Sequence, residues 1–172
     1  MRLPNDILTP RLRIRTYRLA DRDFVLALWG DRENGKYMID PAAEHRDERY
    51  LAAIDEMADE PDGYSLVAEL RESGALVGTC CAFPEADGNW DIGYCIHKAH
   101  WRQGLGTEMV SSLIRWIEAQ GGRSVTGEVA DDNQASVALL RKLGFSPDRQ
   151  SRYKKWGEET WFDAHWYKRE LR

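Results

Sequence analysis

Apolar and polar residues alternate along "RLRIRTY" (Arg11–Tyr17), with Leu12, Ile14 and Thr16 on one side, and a period of two predicts a strand. The period then lengthens. In "LADRDFVLALW", Asp21 stands near a helix start and Phe24, Leu28 and Trp29 share one side. "GDRENGKYMIDP" reads as a loop broken at Gly35 and Pro41. Between Glu44 and Glu60, Tyr50, Leu51, Ile54, Met57 and Ala58 recur at helical spacing, which predicts a second helix. Three strands follow, Tyr64–Leu70, Ala75–Phe83 and Trp90–Ile96, joined by the short turns "RESG" and "PEADGN" as in an antiparallel meander. A helix then opens on Gly-x-Gly and runs to about Gln120, with Leu105, Met109, Leu113, Trp116 and Ile117 as its buried stripe and Gly121–Gly122 as its end. Ser124–Val129 is a strand. "DDNQASVALLRKLGF" is a capped helix closed by Gly144 and Phe145 in a Schellman pattern. Two strands, about Asp148–Trp156 and Thr160–Glu170, turn at Gly157. The order β-α-α-β-β-β-α-β-α-β-β predicts a mixed α/β fold, antiparallel early, with one β-α-β crossover in the middle.

At 172 residues the chain suits a single domain, residues 1–172, with one core. No apolar run reaches the roughly 18 residues of a membrane span. The start "MRLPNDILTPRLRIRTY" lacks the apolar stretch and small-residue cleavage site of a signal peptide. Net charge is −5, which argues against nucleic acid as a partner and is compatible with a cationic substrate such as an amine. Arg11, Arg13 and Arg15 form one basic row, read as one face of a strand. Cys80, Cys81 and Cys95 form no C-x-x-C and are expected as reduced thiols in a cytoplasmic protein. His97 and His100 lack the further ligands of a zinc set, so no metal is expected.

The chemistry concentrates in "HKAHWRQGLGTEM" (His97–Met109). Glycine weakens a helix, so two at a helix start need a reason. A helix N-terminus offers unpaired N–H groups and the positive end of a dipole. Glycine leaves those groups unobstructed and permits unusual dihedrals. Arg102–Thr107 therefore reads as a phosphate cradle: backbone donors, the Arg102 guanidinium and the Gln103 amide. No G-x-x-x-x-G-K-[ST] is present. A dinucleotide site is matched only in part, with Met109 at the third glycine and Glu128 some 20 residues on. A plain helix start remains a third reading.

"DIGYCIHKAHWRQGLGTEMVSSLI" followed by "DDNQASVALLRKLGF" resembles the two acyl-CoA-binding segments of the GNAT superfamily of N-acetyltransferases. It is most similar to the branch containing the ribosomal-protein N-terminal (alanine/serine) acetyltransferases. "LTPRLRIRTYRLAD" and "WFDAHWYKREL" fit the same branch, so the likeness spans essentially the whole chain. It implies a seven-stranded, mostly antiparallel sheet splayed in the middle and flanked by about four helices. It also implies direct transfer from acetyl-CoA to an amine without an acyl-enzyme. Trp101 stands at the first position of the superfamily's [RQ]-x-x-G-x-[GA], which leaves Arg102 as the neighbouring cation.

Carried over, the backbone of Tyr94, Cys95 and Ile96 would bind pantetheine amides, with the Ile96 N–H facing the thioester oxygen. The loop Arg102, Gln103, Gly104, Leu105, Gly106 and Thr107 would hold the diphosphate. Asn133 matches a cofactor-contacting asparagine and also reads as a helix N-cap, a role for which Asp132 competes. Ser136, three residues on, matches the position of a general acid and also reads as an ordinary first-turn serine. Asp91 is the candidate base, beside the readings of a solvated strand residue and of proton loss to bulk water. Tyr37, Met38 and Trp90 are candidates for acceptor contact. The resemblance thus implies an acetyl-CoA-dependent N-acetyltransferase for a peptide or protein N-terminus or a small amine, monomeric or homodimeric, with no membrane or nucleic acid partner. The alternatives are a non-catalytic acyl-CoA-binding or sensing protein of this fold, and a dinucleotide-binding oxidoreductase.

Overall fold

Alternation along the strands gives one sheet two apolar faces, and each face is covered by a pair of helices. A computed structural model describes residues 1–172. The strands are β1 (Ile7–Leu8), β2 (Leu12–Thr16), β3 (Tyr64–Leu70), β4 (Leu76–Pro84), β5 (Asn89–Ile96), β6 (Ser124–Ala130), β7 (Ser146–Lys154) and β8 (Trp161–Glu170). The helices are α1 (Arg22–Gly30), α2 (Glu48–Glu56), α3 (Leu105–Ala119) and α4 (Gln134–Lys142). The spatial order is β1-β2-β3-β4-β5-β6-β8-β7. Every neighbouring pair is antiparallel except β5 and β6, which are joined through α3 and run parallel.

The sheet has eight strands where the sequence predicts seven. The extra one is β1, whose two residues pair with Ile14 and Arg13. Two residues carry no period, so nothing in the pattern announces them. The helix predicted over residues 44–60 is regular only over Glu48–Glu56, with short 3-10 turns at Ala43–His45 and Met57–Asp59. β7 begins at Ser146 rather than near Asp148, with Pro147 tolerated on this edge strand beside a bulge. A mostly antiparallel sheet is not the doubly wound parallel sheet a dinucleotide site requires.

One face packs Leu12, Ile14, Leu66, Ile92 and Val125 against Met109, Leu113 and Ile117 of α3 and Leu140 of α4. On the other, Tyr17 and Val67 meet Val25 of α1 and Tyr50 and Ile54 of α2. The basic row is absorbed internally. Arg15 is buried and forks onto Asp21 at 2.8 Å from both terminal nitrogens, Arg13 pairs with Asp6 and Glu69, and Arg11 pairs with Glu108. No helix is long and apolar enough to cross a membrane.

The closure of α4 matches its sequence pattern. Gly144 is left-handed (φ +84°), its N–H donates to the Arg141 carbonyl at 3.0 Å, and the Phe145 N–H donates to the Leu140 carbonyl at 3.0 Å. The nearest atom to an added Cβ would be Arg169 Cδ at 3.9 Å, so a side chain there meets no clash. Gly144→Ala should therefore cost about 1–2 kcal/mol of stability through its dihedrals alone, measured by urea unfolding; an unchanged midpoint contradicts the assignment. Leu113 is fully buried under the sheet, and Leu113→Ala should cost about 2–5 kcal/mol in the same assay.

Candidate active site

The glycine loop joins the end of β5 to α3. Gly104 is the α3 N-cap residue at φ +76°, and Arg102, two residues earlier, is also left-handed at φ +59°. The Trp101 N–H donates to the Lys98 carbonyl, and the Glu108 N–H donates to the Gly104 carbonyl. The six amides between them, Arg102 through Thr107, find no acceptor within the protein. Six free donors at the positive end of a 15-residue helix suit an anion. The loop is braced from below. Arg11 Nη1 donates to the Gln103 carbonyl at 2.8 Å, while Glu108 accepts from the Arg11 side chain at 2.7 Å and the Thr9 hydroxyl at 2.6 Å. The two glycines have separate reasons. Gly104 supplies the left-handed turn. A Cβ at Gly106 would lie 3.1 Å from Leu139 Cδ1, so Gly106 also lets α3 approach α4. The Arg102 side chain is exposed, and the Gln103 amide turns back to the Ala99 carbonyl at 3.2 Å rather than into the loop.

β5 pairs with β4 along its whole length but with β6 only at Asn89, Trp90 and Asp91. Beyond Asp91 the two strands part. The His97 N–H donates to the Val77 carbonyl at 2.8 Å, which sets the alternation of the β4–β5 ladder. Cys95 and Gly93 therefore exchange bonds with β4, and Tyr94 and Ile96 turn their N–H groups into the opening. The Cys95 peptide faces away from it. The Ile96 carbonyl is already engaged: Trp101 Nε1 donates to it at 2.6 Å and Asn34 Nδ2 at 2.8 Å. The tryptophan at the first motif position thus ties the glycine loop to the strand end with its indole N–H. What this edge still offers is two donors, the Tyr94 and Ile96 N–H groups, and one acceptor, the Tyr94 carbonyl.

α4 borders the same opening. Asn133 is its N-cap, with its side-chain oxygen accepting from the Ser136 N–H at 3.3 Å, so the cap falls to Asn133 and not to Asp132. The Tyr94 hydroxyl lies 3.5 Å from the Ser136 carbonyl, and burial pushes its pKa up to about 12. Tyr94 and Ser136 therefore stand beside each other at the opening. Burial also raises all three thiols, Cys81 and Cys95 to about 12, which keeps them protonated and poor nucleophiles.

The opposite face of the sheet carries the carboxylates. Asp91 is level with Thr126 across the parallel pair, and Glu128 lies two residues further on the same side. Both are half-buried, and neither has a salt-bridge partner in the protein. Burial raises the Asp91 pKa to about 7, and the charges of Glu85 and Glu128 add to the rise. Sequence reasoning placed Glu128 only in the partial dinucleotide pattern. Its signal was the alternation of "SVTGEV", which puts it on the Thr126 side.

Trp90 lies elsewhere. It is buried on the α3 face between Tyr64 (6.0 Å) and Trp116 (5.6 Å), away from the carboxylates. Tyr37 and Met38 belong to the loop from Asp31 to Asp40. The Tyr37 hydroxyl donates to the Asp132 carbonyl at 3.1 Å, its ring meets the edge of Phe162, and its carbonyl accepts from the Tyr153 hydroxyl at 2.7 Å. The Lys155 ammonium donates to the carbonyls of Gly35, Met38 and Asp40 at 2.7, 2.8 and 3.0 Å, and so holds this loop in place.

The family model described as an acetyltransferase (GNAT) domain matches residues 11–146. An uncharacterized N-acetyltransferase, p20, of Bacillus licheniformis is 28% identical over 145 residues, covering 81% of this chain and 82% of its own. Phosphinothricin N-acetyltransferase of Streptomyces viridochromogenes is 29% identical, over 69% of this chain and 67% of its own. Among solved structures, an acetyltransferase of the GNAT family from Bacillus anthracis superposes with a TM-score of 0.80 at 16% identity, covering 96% of this chain and 98% of its own. Spermidine N-acetyltransferase from Vibrio cholerae, solved with CoA and spermine, gives a TM-score of 0.78 at 14% identity, over 94% and 96% of the two chains. Ribosomal-protein-S5-alanine acetyltransferase from Vibrio fischeri gives 0.74 at 14%, over 96% of each. These neighbours share this fold, and with the family model covering most of the sequence, the chain belongs to the GNAT family of N-acetyltransferases.

Proposed function

We propose that this protein transfers the acetyl group of acetyl-CoA directly to a primary amine held between Asp91, Glu128 and the opening between β5 and β6. The observation that carries this reading is the conjunction of two free donor sets. Six unpaired amides sit at the α3 tip, and two more face the splay at Tyr94 and Ile96. A diphosphate suits the first, and an amide-bearing arm laid along a strand edge suits the second. Acetyl-CoA supplies an activated thioester carbonyl. Every other part of the chemistry falls to the chain.

The Ile96 N–H would donate to the thioester oxygen as charge develops there, an interaction worth roughly 3 kcal/mol in such sites, while the Tyr94 N–H, two residues back along the edge, would meet the arm. Asp91 and Glu128 attract the ammonium form of the acceptor and take its proton. An amine with a pKa between about 8 and 10 is mostly protonated at neutral pH, and a carboxylate held near 7 is well matched to accept that proton. The Ser136 hydroxyl, with Tyr94 beside it, would return a proton to the departing thiolate. The high thiol pKa values support direct attack by the amine rather than an acyl-cysteine. A peptide N-terminus and a small amine both satisfy this chemistry.

The experiment is acetyl-CoA-dependent release of free thiol across a panel of primary amines. Turnover is expected. Thermal protection by acetyl-CoA with no thiol release from any amine would favour the sensing role instead. In the same assay kcat/KM should rise with pH through about 7 as Asp91 loses its proton. Glu128→Gln should lower it by about 10²- to 10³-fold; a flat profile or an active variant removes the carboxylate base. Ser136→Ala should slow kcat more than it changes the Kd for CoA, and equal turnover would leave Ser136 as a first-turn serine.

Asp91 also makes a stability prediction. Its folded pKa lies above its unfolded value, so its contribution is intact below about pH 4 and is lost as pH rises through about 7. Asp91→Asn should raise the thermal midpoint at about pH 8 and leave it unchanged at about pH 4. A midpoint that falls at pH 8 would show that the carboxylate has a favourable partner.

A further inference from the structure

A polar cavity of about 360 Å³ lies at the foot of β5, β6 and β8, where Asn89 and Thr126 share its lining with Arg123, Arg149 and Lys168 and with the carboxylates of Asp87, Asp148 and Glu170. Strand register connects it to the proposed reaction site. Asn89 and Thr126 flank Asp91 on the same sheet face, so the Asp91–Glu128 pair stands between the cavity and the opening toward Tyr94. Across the sheet, Glu128 is opposite Trp166, and Trp166 is opposite Arg149. A carboxylate, an indole and a guanidinium therefore form one row, with their Cα atoms spanning two strand spacings, about 10 Å.

The two arginines of the cavity, Arg149 and Arg123, are not used up by the fold. The Arg149 guanidinium stacks over the Trp166 ring at 4.7 Å from its centre, and only one of its terminal nitrogens meets Asp148, at 3.1 Å between exposed groups. Its charge reaches Asp91, where it opposes the rise in pKa. Arg123 lines the same cavity and has no carboxylate within salt-bridge distance. Lys168 is taken by Glu170 at 2.7 Å, and Asp87 lies exposed at the rim.

Resting on the acetyltransferase reading, we propose that the acceptor bears a carboxylate as well as its amine, an amino-acid-like compound. Its ammonium meets Asp91 and Glu128, its apolar body lies on Trp166, and its carboxylate meets Arg149 and Arg123. A planar guanidinium receives a carboxylate through two parallel hydrogen bonds, which a monoamine cannot supply. A diamine would bring a second positive charge against the same arginines. The chemistry is therefore selective in sign as well as shape.

The test uses the full-length protein, acetyl-CoA and three acceptor series of matched chain length: ω-amino acids, monoamines and diamines. The carboxylate-bearing series should show kcat/KM about ten- to a hundredfold above the monoamines. Arg149→Ala should shrink that ratio about tenfold or more, Arg149→Lys should restore part of it, and Arg123→Ala should shrink it further. Because the readout is a ratio between acceptors, a general loss of stability does not produce it. Monoamines or diamines used as well as or better than the ω-amino acids would overturn the proposal. So would a preference that survives both arginine-to-alanine changes. Thiol release from none of the three series, beside normal CoA binding, would instead strike the acetyltransferase reading on which the proposal stands.

Discussion

The separation of β5 from β6 beyond Asp91 is the constraint on which the rest of the molecule depends. A strand in the middle of a sheet normally spends its hydrogen-bonding groups on both neighbours. Here β5 stays zipped to β4 as far as Ile96, and β6 stays zipped to β8 as far as Ala130. The Tyr94 and Ile96 amides between them are left facing a gap. Leaving such groups unpaired costs free energy unless something else meets them. The structure accepts this cost at one place and braces the surroundings heavily. Asn34 and Trp101 hold the Ile96 carbonyl, Arg11 and Glu108 hold the glycine loop, and Lys155 holds the loop carrying Tyr37 and Met38.

The two sides of the opening differ in chemistry for a structural reason. On the α3–α4 side the sheet is apolar and the donors are backbone amides, which can grip a long anionic cofactor whatever side chains surround them. On the other side the alternate residues of β5, β6 and β8 present Asp91, Glu128 and Trp166. In the proposed reaction, a group held at the first side and an amine held at the second would meet where the strands part. The central strands would then work as a partition with a slit in it, with a different ligand on each face.

Much of the architecture was legible in the sequence. The apolar stripe of α3, the Schellman closure at Gly144–Phe145 and the β-α-β crossover all carry local signals strong enough to read. β1 was not legible, because two residues have no period. Trp90 sat at the right strand for acceptor contact, but strand parity sends it into the α3 core, and only the register reveals that. Glu128 was visible as an acid on a strand, yet its nearness to Asp91 depends on the pairing of β5 with β6, a long-range fact. The brace from Arg11 to the glycine loop is longer-range still, about ninety residues apart in sequence and 2.8 Å in space.

The most direct test of the central claim is an amide-resolved titration of the ¹⁵N-labelled protein with CoA, followed by chemical shift and hydrogen exchange. The amides of Arg102 through Thr107, with Tyr94 and Ile96, should shift most and become the most protected, while the Cys95 amide, bonded to β4, should change little. Saturation with CoA that leaves those eight amides unshifted and still fast to exchange would contradict it.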